Sequence, residues 1–374
     1  MNAIDLYDEL TDGATRFIRV DELCRRAAET GALPPVEELA REARLPLKGK
    51  KGLEKAQGAF LAEILGDPEA GMHLCHGMLL PLEASIQKAR DFERDGEIEF
   101  PGAHLKRQGK AAVLTLRNPR YLNAEDESTL PGTEMAVDVA LLDPKTEVCV
   151  LRGDFVEHPK YAGRRLFGAG INLTHLYQGK IRYLWYLIRD LGFVNKLYRG
   201  LAFKDQSPET GGIEKIWIAA VEGFAIGGHC QILLTIDHTL AAEDAYLTLP
   251  ARKEGIIPGA ANLRLPRFVG DRIARQAILA ERRIECASPE GRLLFDQVVP
   301  NKEVDGAIHA TVEKLTGSGV VSAAGNRRAF RAGQEPLDLF RRYMAVYARE
   351  QAQCHFSPAL IANLEKHWNA ANRR

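Results

Sequence analysis

The chain has 374 residues, with 50 Lys+Arg balanced by 50 Asp+Glu. Formal neutrality leaves no excess of cations to release counterions from a phosphate backbone, so bulk electrostatics exclude a nucleic-acid role, although not a local basic rim for a small phosphorylated ligand. At about 150 residues per domain the length predicts two or three domains, and an apolar share of 45% with 27% charged residues is that of a soluble globular chain.

The N-terminal stretch MNAIDLYDELTDGATRF has no basic segment followed by an apolar one, and no run of 18 apolar residues occurs. The expectation is a cytoplasmic protein without a membrane span. Residues 1–95 read as a helical domain. An amphipathic run starts at Val20, Pro34-Pro35 punctuates it, and apolar residues recur at three- and four-residue spacing over Ala56–Leu65 and Leu79–Phe92. His73, Cys75 and His76 fall within four residues, but no second half-site accompanies them, so the reading is a helix segment and no metal is expected. The six cysteines are scattered without a CxxC pair and read as reduced, mostly buried thiols.

The pattern changes near residue 96. Glu97–Phe100 and Ala111–Leu116 read as strands, Glu125–Leu142 as a helix and Glu147–Gly153 as a buried strand. A helix over about Ile181–Arg199, a strand over Ile216–Val221 and a Gly-rich turn into a helix over Gly223–Thr235 come next. Strands alternating with helices predict an α/β layer. From about Lys302 onward the chain is helical again. Residues 96–304 therefore form the predicted core, and 305–374 a C-terminal helical region.

Two glycine segments carry the chemistry. Val221-Glu222-Gly223-Phe224-Ala225-Ile226-Gly227-Gly228 joins a strand to a helix and leaves backbone N–H groups bare, which suits an oxyanion or a phosphate. Arg164-Arg165-Leu166-Phe167-Gly168-Ala169-Gly170-Ile171-Asn172-Leu173 is a second strand–loop–helix junction. Two such loops can aim one N–H each at a single carbonyl oxygen.

On these segments the chain resembles the crotonase (enoyl-CoA hydratase/isomerase) superfamily. Arg117-Asn118-Pro119, Leu122-Asn123-Ala124 and Gly255-Ile256-Ile257-Pro258-Gly259-Ala260 resemble further signatures in the right order. The resemblance implies a spiral of ββα units, extended here by the two helical regions. It also implies assembly as a trimer or homohexamer, and an acyl-CoA whose thioester carbonyl is held by the amides of Ile171 and Gly228. The hydratases of the superfamily carry two glutamates where this chain has Gln231 and Ala251. Hydration needs paired carboxylates, so it is not expected.

The segments 158–165, 170–181 and 189–200, with the long helical N-terminal region, resemble the branch that oxygenates 3,5-dihydroxyphenylacetyl-CoA. That likeness implies a dioxygenase that needs neither metal nor flavin. Its substrates would be an arylacetyl-CoA thioester and dioxygen, and its product 3,5-dihydroxyphenylglyoxylate, destined for the dihydroxyphenylglycine of glycopeptide antibiotics. By the same likeness Glu125, Gln231 and Arg189 would contact the ring hydroxyls. Against this stand a helix first-turn acid for Glu125 and a surface ion pair for Arg189. Cations for CoA phosphates are sought in Arg164, Arg165, Lys160 and Arg117, with Arg120 beside them. His229 is either a general base or a buried histidine holding a loop, and His175 is equally ambiguous. The N-terminal region is expected to cap the substrate channel. The rival readings are another crotonase-type reaction, thioester hydrolysis or isomerisation, and a non-catalytic acyl-CoA-binding protein.

Overall fold

Ala111–Leu116 is apolar at nearly every position and buried at every one, as a strand covered on both faces must be. It lies inside a seven-stranded sheet. In chain order the strands are β1 (Glu97–Phe100), β2 (Ala103–Gln108), β3 (Ala111–Leu116), β4 (Val148–Gly153), β5 (Ile216–Val221), β6 (Phe224–Ile226), β7 (His238–Ala242), β8 (Tyr246–Thr248), β9 (Ile284–Glu285) and β10 (Gln297–Val299). The large sheet runs β1-β2-β3-β4-β5-β7-β10, and β6-β8-β9 form a small second sheet. β1, β2 and β3 pair antiparallel, whereas β3, β4, β5, β7 and β10 pair parallel. The computed structural model describes residues 2–317 and 319–373.

This is the α/β spiral of the crotonase fold, with helical regions before and after it. β2 is an addition to the elements expected from sequence. Its Ala103 and Leu105 are buried while Lys106 is exposed, a short alternation easily lost among polar residues. Two predicted helices are also corrected. The first begins at Leu130 rather than Glu125, because Glu125 pairs in a strand-like bridge with Ile171. The second divides into helix Tyr183–Ile188, a wide π-helical turn over Arg189–Val194 and helix Asn195–Arg199.

Helix Lys55–Gly66 packs along helix Leu337–His355 from the far end of the chain. A Cβ at Gly58 would stand 2.5 Å from Ala352 Cβ, so glycine is what lets these two backbones approach. One hydrophobic core runs from Leu6 through Ile218 to Ala370. Helix Pro358–Trp368 then folds back over the short helix Ala251–Glu254. No helix among the described residues is long and apolar enough to cross a membrane.

Candidate active site

The first glycine loop is fixed by backbone pairing on both sides. Gly168 N–H donates to Phe224 C=O at 3.1 Å, and Ile226 N–H donates to Gly168 C=O at 3.0 Å. Glu125 N–H donates to Gly170 C=O at 2.7 Å and Asn172 N–H to Glu125 C=O at 2.8 Å. Asn123 Nδ2 braces the return of the loop by donating to the carbonyls of Asp154 and Leu166, each at 2.8 Å. Between these committed groups the Ile171 N–H has no acceptor among the described residues.

In the second loop Gly227 takes φ 53° and donates its N–H to Thr248 C=O at 2.9 Å. Gly228 opens helix Gly228–Leu233, and its N–H is likewise uncommitted. The loops touch: a Cβ at Gly170 would lie 3.2 Å from Gly228 N. Two bare amides on neighbouring loops, both lining one inner cavity, are an arrangement that can take an oxyanion.

Beneath them lies a buried polar network centred on Arg189. Its Nε and Nη2 grip Glu125 in a bidentate pair at 2.8 Å each, and Nη1 reaches Asp190 Oδ1 and Gln231 Oε1 at 3.0 Å each. Nη2 also donates to Gly228 C=O at 2.8 Å, tying the network to the oxyanion loop. A Cβ at Gly228 would meet Glu125 Oε2 at 2.5 Å, which explains the glycine. Burial raises the Glu125 carboxyl, but the Arg189 guanidinium more than offsets it and holds the group below its ordinary range. Asp190 goes the other way, because burial outweighs the nearby Arg189 and Arg264. The extra residue of the π-helical turn presents Arg189 and Asp190 to this site in succession.

His229 holds a loop. Its Nδ1 accepts the Gly170 N–H at 3.0 Å, which puts the ring proton on Nε2. Burial pushes its pKa down to about 4, so it stays neutral at ordinary pH. His175 Nδ1 lies 2.8 Å from Asp126 and lines neither cavity.

The inner cavity is bounded by Ile171, Trp185, Arg189, Gly228, Gln231 and Tyr347 among others, and its volume is about 30 Å³. It adjoins an outer cavity of about 540 Å³ whose cations are Arg120, Lys160, Lys253 and Arg373. Of the predicted phosphate contacts, Lys160 lies on this rim. Arg164 pairs with Asp244 at 2.6 Å, Arg165 with Asp154 at 3.1 Å, and Arg117 with Glu99 at 2.7 Å. These three do not line the outer cavity. No described residue from 2 to 95 lines either cavity, so the N-terminal helices do not cap the channel. Their Val20–Glu29 helix backs helix Tyr183–Ile188 instead. Asp190, Tyr347 and Glu254 were not expected from sequence. The signal for Glu254 was its place beside the Gly255–Ala260 signature.

Among known proteins, the family model described as enoyl-CoA hydratase/isomerase matches residues 106–344. The chain is 48% identical over 354 residues to the (3,5-dihydroxyphenyl)acetyl-CoA 1,2-dioxygenase of Amycolatopsis orientalis, covering 94% of this chain and 81% of that protein. It is 27% identical to a short-chain-enoyl-CoA hydratase of Clostridium acetobutylicum over 64% of this chain and 84% of the relative. Among solved structures, an enoyl-CoA hydratase from Mycobacterium avium subsp. paratuberculosis K-10 superposes with a TM-score of 0.59 at 21% identity, over 71% of this chain and 98% of that one.

Proposed function

The chain belongs to the enoyl-CoA hydratase/isomerase family, and from that membership we propose that it is a dioxygenase converting 3,5-dihydroxyphenylacetyl-CoA and O2 to 3,5-dihydroxyphenylglyoxylate and CoA. The observation that carries this reading is the pair of uncommitted amides, Ile171 and Gly228, on the same inner cavity as Arg189 and Gln231. The near-full-length likeness to a relative with that activity supports it.

The chemistry grows out of the site. An arylacetyl thioester has an acidic α-carbon, and its enolate oxygen is stabilised by the two amides. The electron-rich carbanion reduces dioxygen directly, so the reaction needs no metal or flavin. The α-peroxide formed attacks the thioester carbonyl, CoA leaves, and cleavage of the O–O bond yields the α-keto acid. Gln231 has its Oε1 engaged by Arg189, which leaves its amide NH2 to meet a ring hydroxyl. Arg189, whose N–H groups are taken by Glu125, Asp190, Gln231 and Gly228, holds Gln231 in place for that contact.

A benzene-sized guest needs roughly 150 Å³. The ring therefore enters the inner cavity by displacing lining side chains, and in doing so expels the water that would reprotonate the carbanion. The CoA phosphates meet the rim cations of the outer cavity. The proposal includes a cytoplasmic homo-oligomer, a trimer or a hexamer, that supplies dihydroxyphenylglycine for antibiotic synthesis.

The test measures dioxygen uptake and free thiol together during turnover of 3,5-dihydroxyphenylacetyl-CoA by the full-length protein. One O2 consumed per CoA released, with both oxygen atoms recovered in the glyoxylate, is expected. CoA release without oxygen uptake would make the protein a thioesterase. Stoichiometric iron or copper in the active protein would remove the cofactor-independent part.

A further inference from the structure

The reaction begins by taking a proton from the α-carbon, and most acids near that position are already engaged. Glu125 gives both oxygens to Arg189, and Asp190 is bound to the same guanidinium. Gln231 and Ala251 line the inner cavity without a carboxylate. Glu254 is different. It ends the short helix Ala251–Glu254 and is half-buried, and its carboxylate joins no hydrogen bond or ion pair to another described residue. A Cβ at Gly227 would lie 4.0 Å from its Oε2, which places the carboxylate against the second oxyanion loop. Among the described residues, Ile171 and Glu254 alone line both the inner and the outer cavity. A thioester with its aryl end inside and its CoA outside has its carbonyl and α-carbon at that junction.

We propose that Glu254 is the proton acceptor that removes the α-proton of the bound thioester. This rests on the function proposed above. The Cα–H bond breaks, its proton goes to a Glu254 oxygen, and its electron pair passes into the enolate, whose oxygen takes the N–H groups of Ile171 and Gly228. Dioxygen then accepts that electron pair as a C–O bond forms. When the peroxide closes on the carbonyl, the departing thiolate takes the proton back from Glu254. The carboxylate is thereby free to collect the second α-proton as the O–O bond breaks and the ketone forms. One O2 is reduced, the α-carbon is oxidised, and no outside reductant is needed.

Burial, reinforced by Glu281 and opposed by Lys253, pushes Glu254 up to about 7, which suits a base working near neutrality. Glu281 is itself 3.6 Å from Arg252. Tyr186, Arg189 and Asp190 share the inner cavity with Glu254, and His367 shares the outer one.

The experiment tracks exchange of the α-protons of 3,5-dihydroxyphenylacetyl-CoA in D2O by NMR, with oxygen excluded and the full chain present. Wild-type exchange is expected to rise with pH through about 7. Glu254→Gln is expected to slow it roughly 100- to 10,000-fold, with thioester affinity kept within several-fold. Because ionising a buried carboxylate costs stability above its unfolded pKa and up through its raised folded one, Glu254→Gln is also expected to melt higher than wild type at pH 8 and to converge with it near pH 5. Exchange by Glu254→Gln within threefold of wild type overturns the proposal. Should that variant fail to fold, Glu254→Asp carries the test: an exchange–pH profile identical to wild type overturns the proposal, and a shifted one supports it. A wild-type protein that exchanges α-protons but consumes no oxygen sinks the dioxygenase reading, and Glu254 stands as its base when Glu254→Gln slows that exchange.

Discussion

A methyl group at position 168 would stand 2.2 Å from the His229 ring. That ring also receives the Gly170 N–H one residue before the uncommitted amide of Ile171, the proposed oxyanion donor. A single contact thus couples the packing of one glycine to the aim of the Ile171 amide. Gly168→Ala is expected to displace His229, with overpacking costing about 1–3 kcal/mol of stability. Loss of one aligned oxyanion donor lowers kcat by roughly 100- to 1,000-fold. Thermal melting and steady-state kinetics on the same preparation check both. A kcat within threefold of wild type would show that His229 does not set the position of the Ile171 amide. The glycines of both loops were legible in the sequence because a bare backbone turn leaves a local signature. Glu254 was not, because whether a carboxylate finds a partner depends on residues as distant as Arg189 and Glu281. The histidine's role was equally hidden, since its acceptor nitrogen is fixed only by where Gly170 lies.

At the scale of elements, the helix over Tyr183–Arg199 shows what periodicity misses. Its outer segments keep the helical period that the apolar pattern announces, but the π-helical turn at Arg189–Val194 inserts one residue and rotates the segment Asn195–Arg199 beyond it. The rotation brings Lys196 between Glu134 at 2.8 Å and Asp138 at 2.7 Å, with Lys196 and Asp138 fully buried. Arg19 from the N-terminal region grips the same Glu134 at 2.8 Å. One helix, Leu130–Leu142, is thereby tied to the active-site helix on one side and to the N-terminal arm on the other. Lys196→Met leaves Asp138 a buried carboxylate without its cation. The expected cost is about 3–5 kcal/mol, read as a fall in the urea midpoint. A change under about 1 kcal/mol would mean that Asp138 is already protonated in the fold.

At the scale of the whole molecule, the N-terminal helices reach the site through an intermediary. Helix Leu337–His355 packs on Lys55–Gly66 with one part of its surface and places Tyr347 in the inner cavity with another. Deleting residues 1–95 is expected to strip cover from Phe340 and Met344, both fully buried in the intact chain, and to give aggregated protein on size-exclusion chromatography rather than a leaky enzyme. A monodisperse deletion variant with coupled oxygen uptake would refute this.

The same packing has a consequence in time. During synthesis, helix Lys55–Gly66 leaves the ribosome long before residue 337 is made. At about 5–20 residues per second the delay is on the order of tens of seconds. Throughout that interval the face of Lys55–Gly66 that meets Leu337–His355 has no native partner. The nascent chain must therefore be shielded until its last helices arrive, and the fold locks from its two ends together rather than from first residue to last.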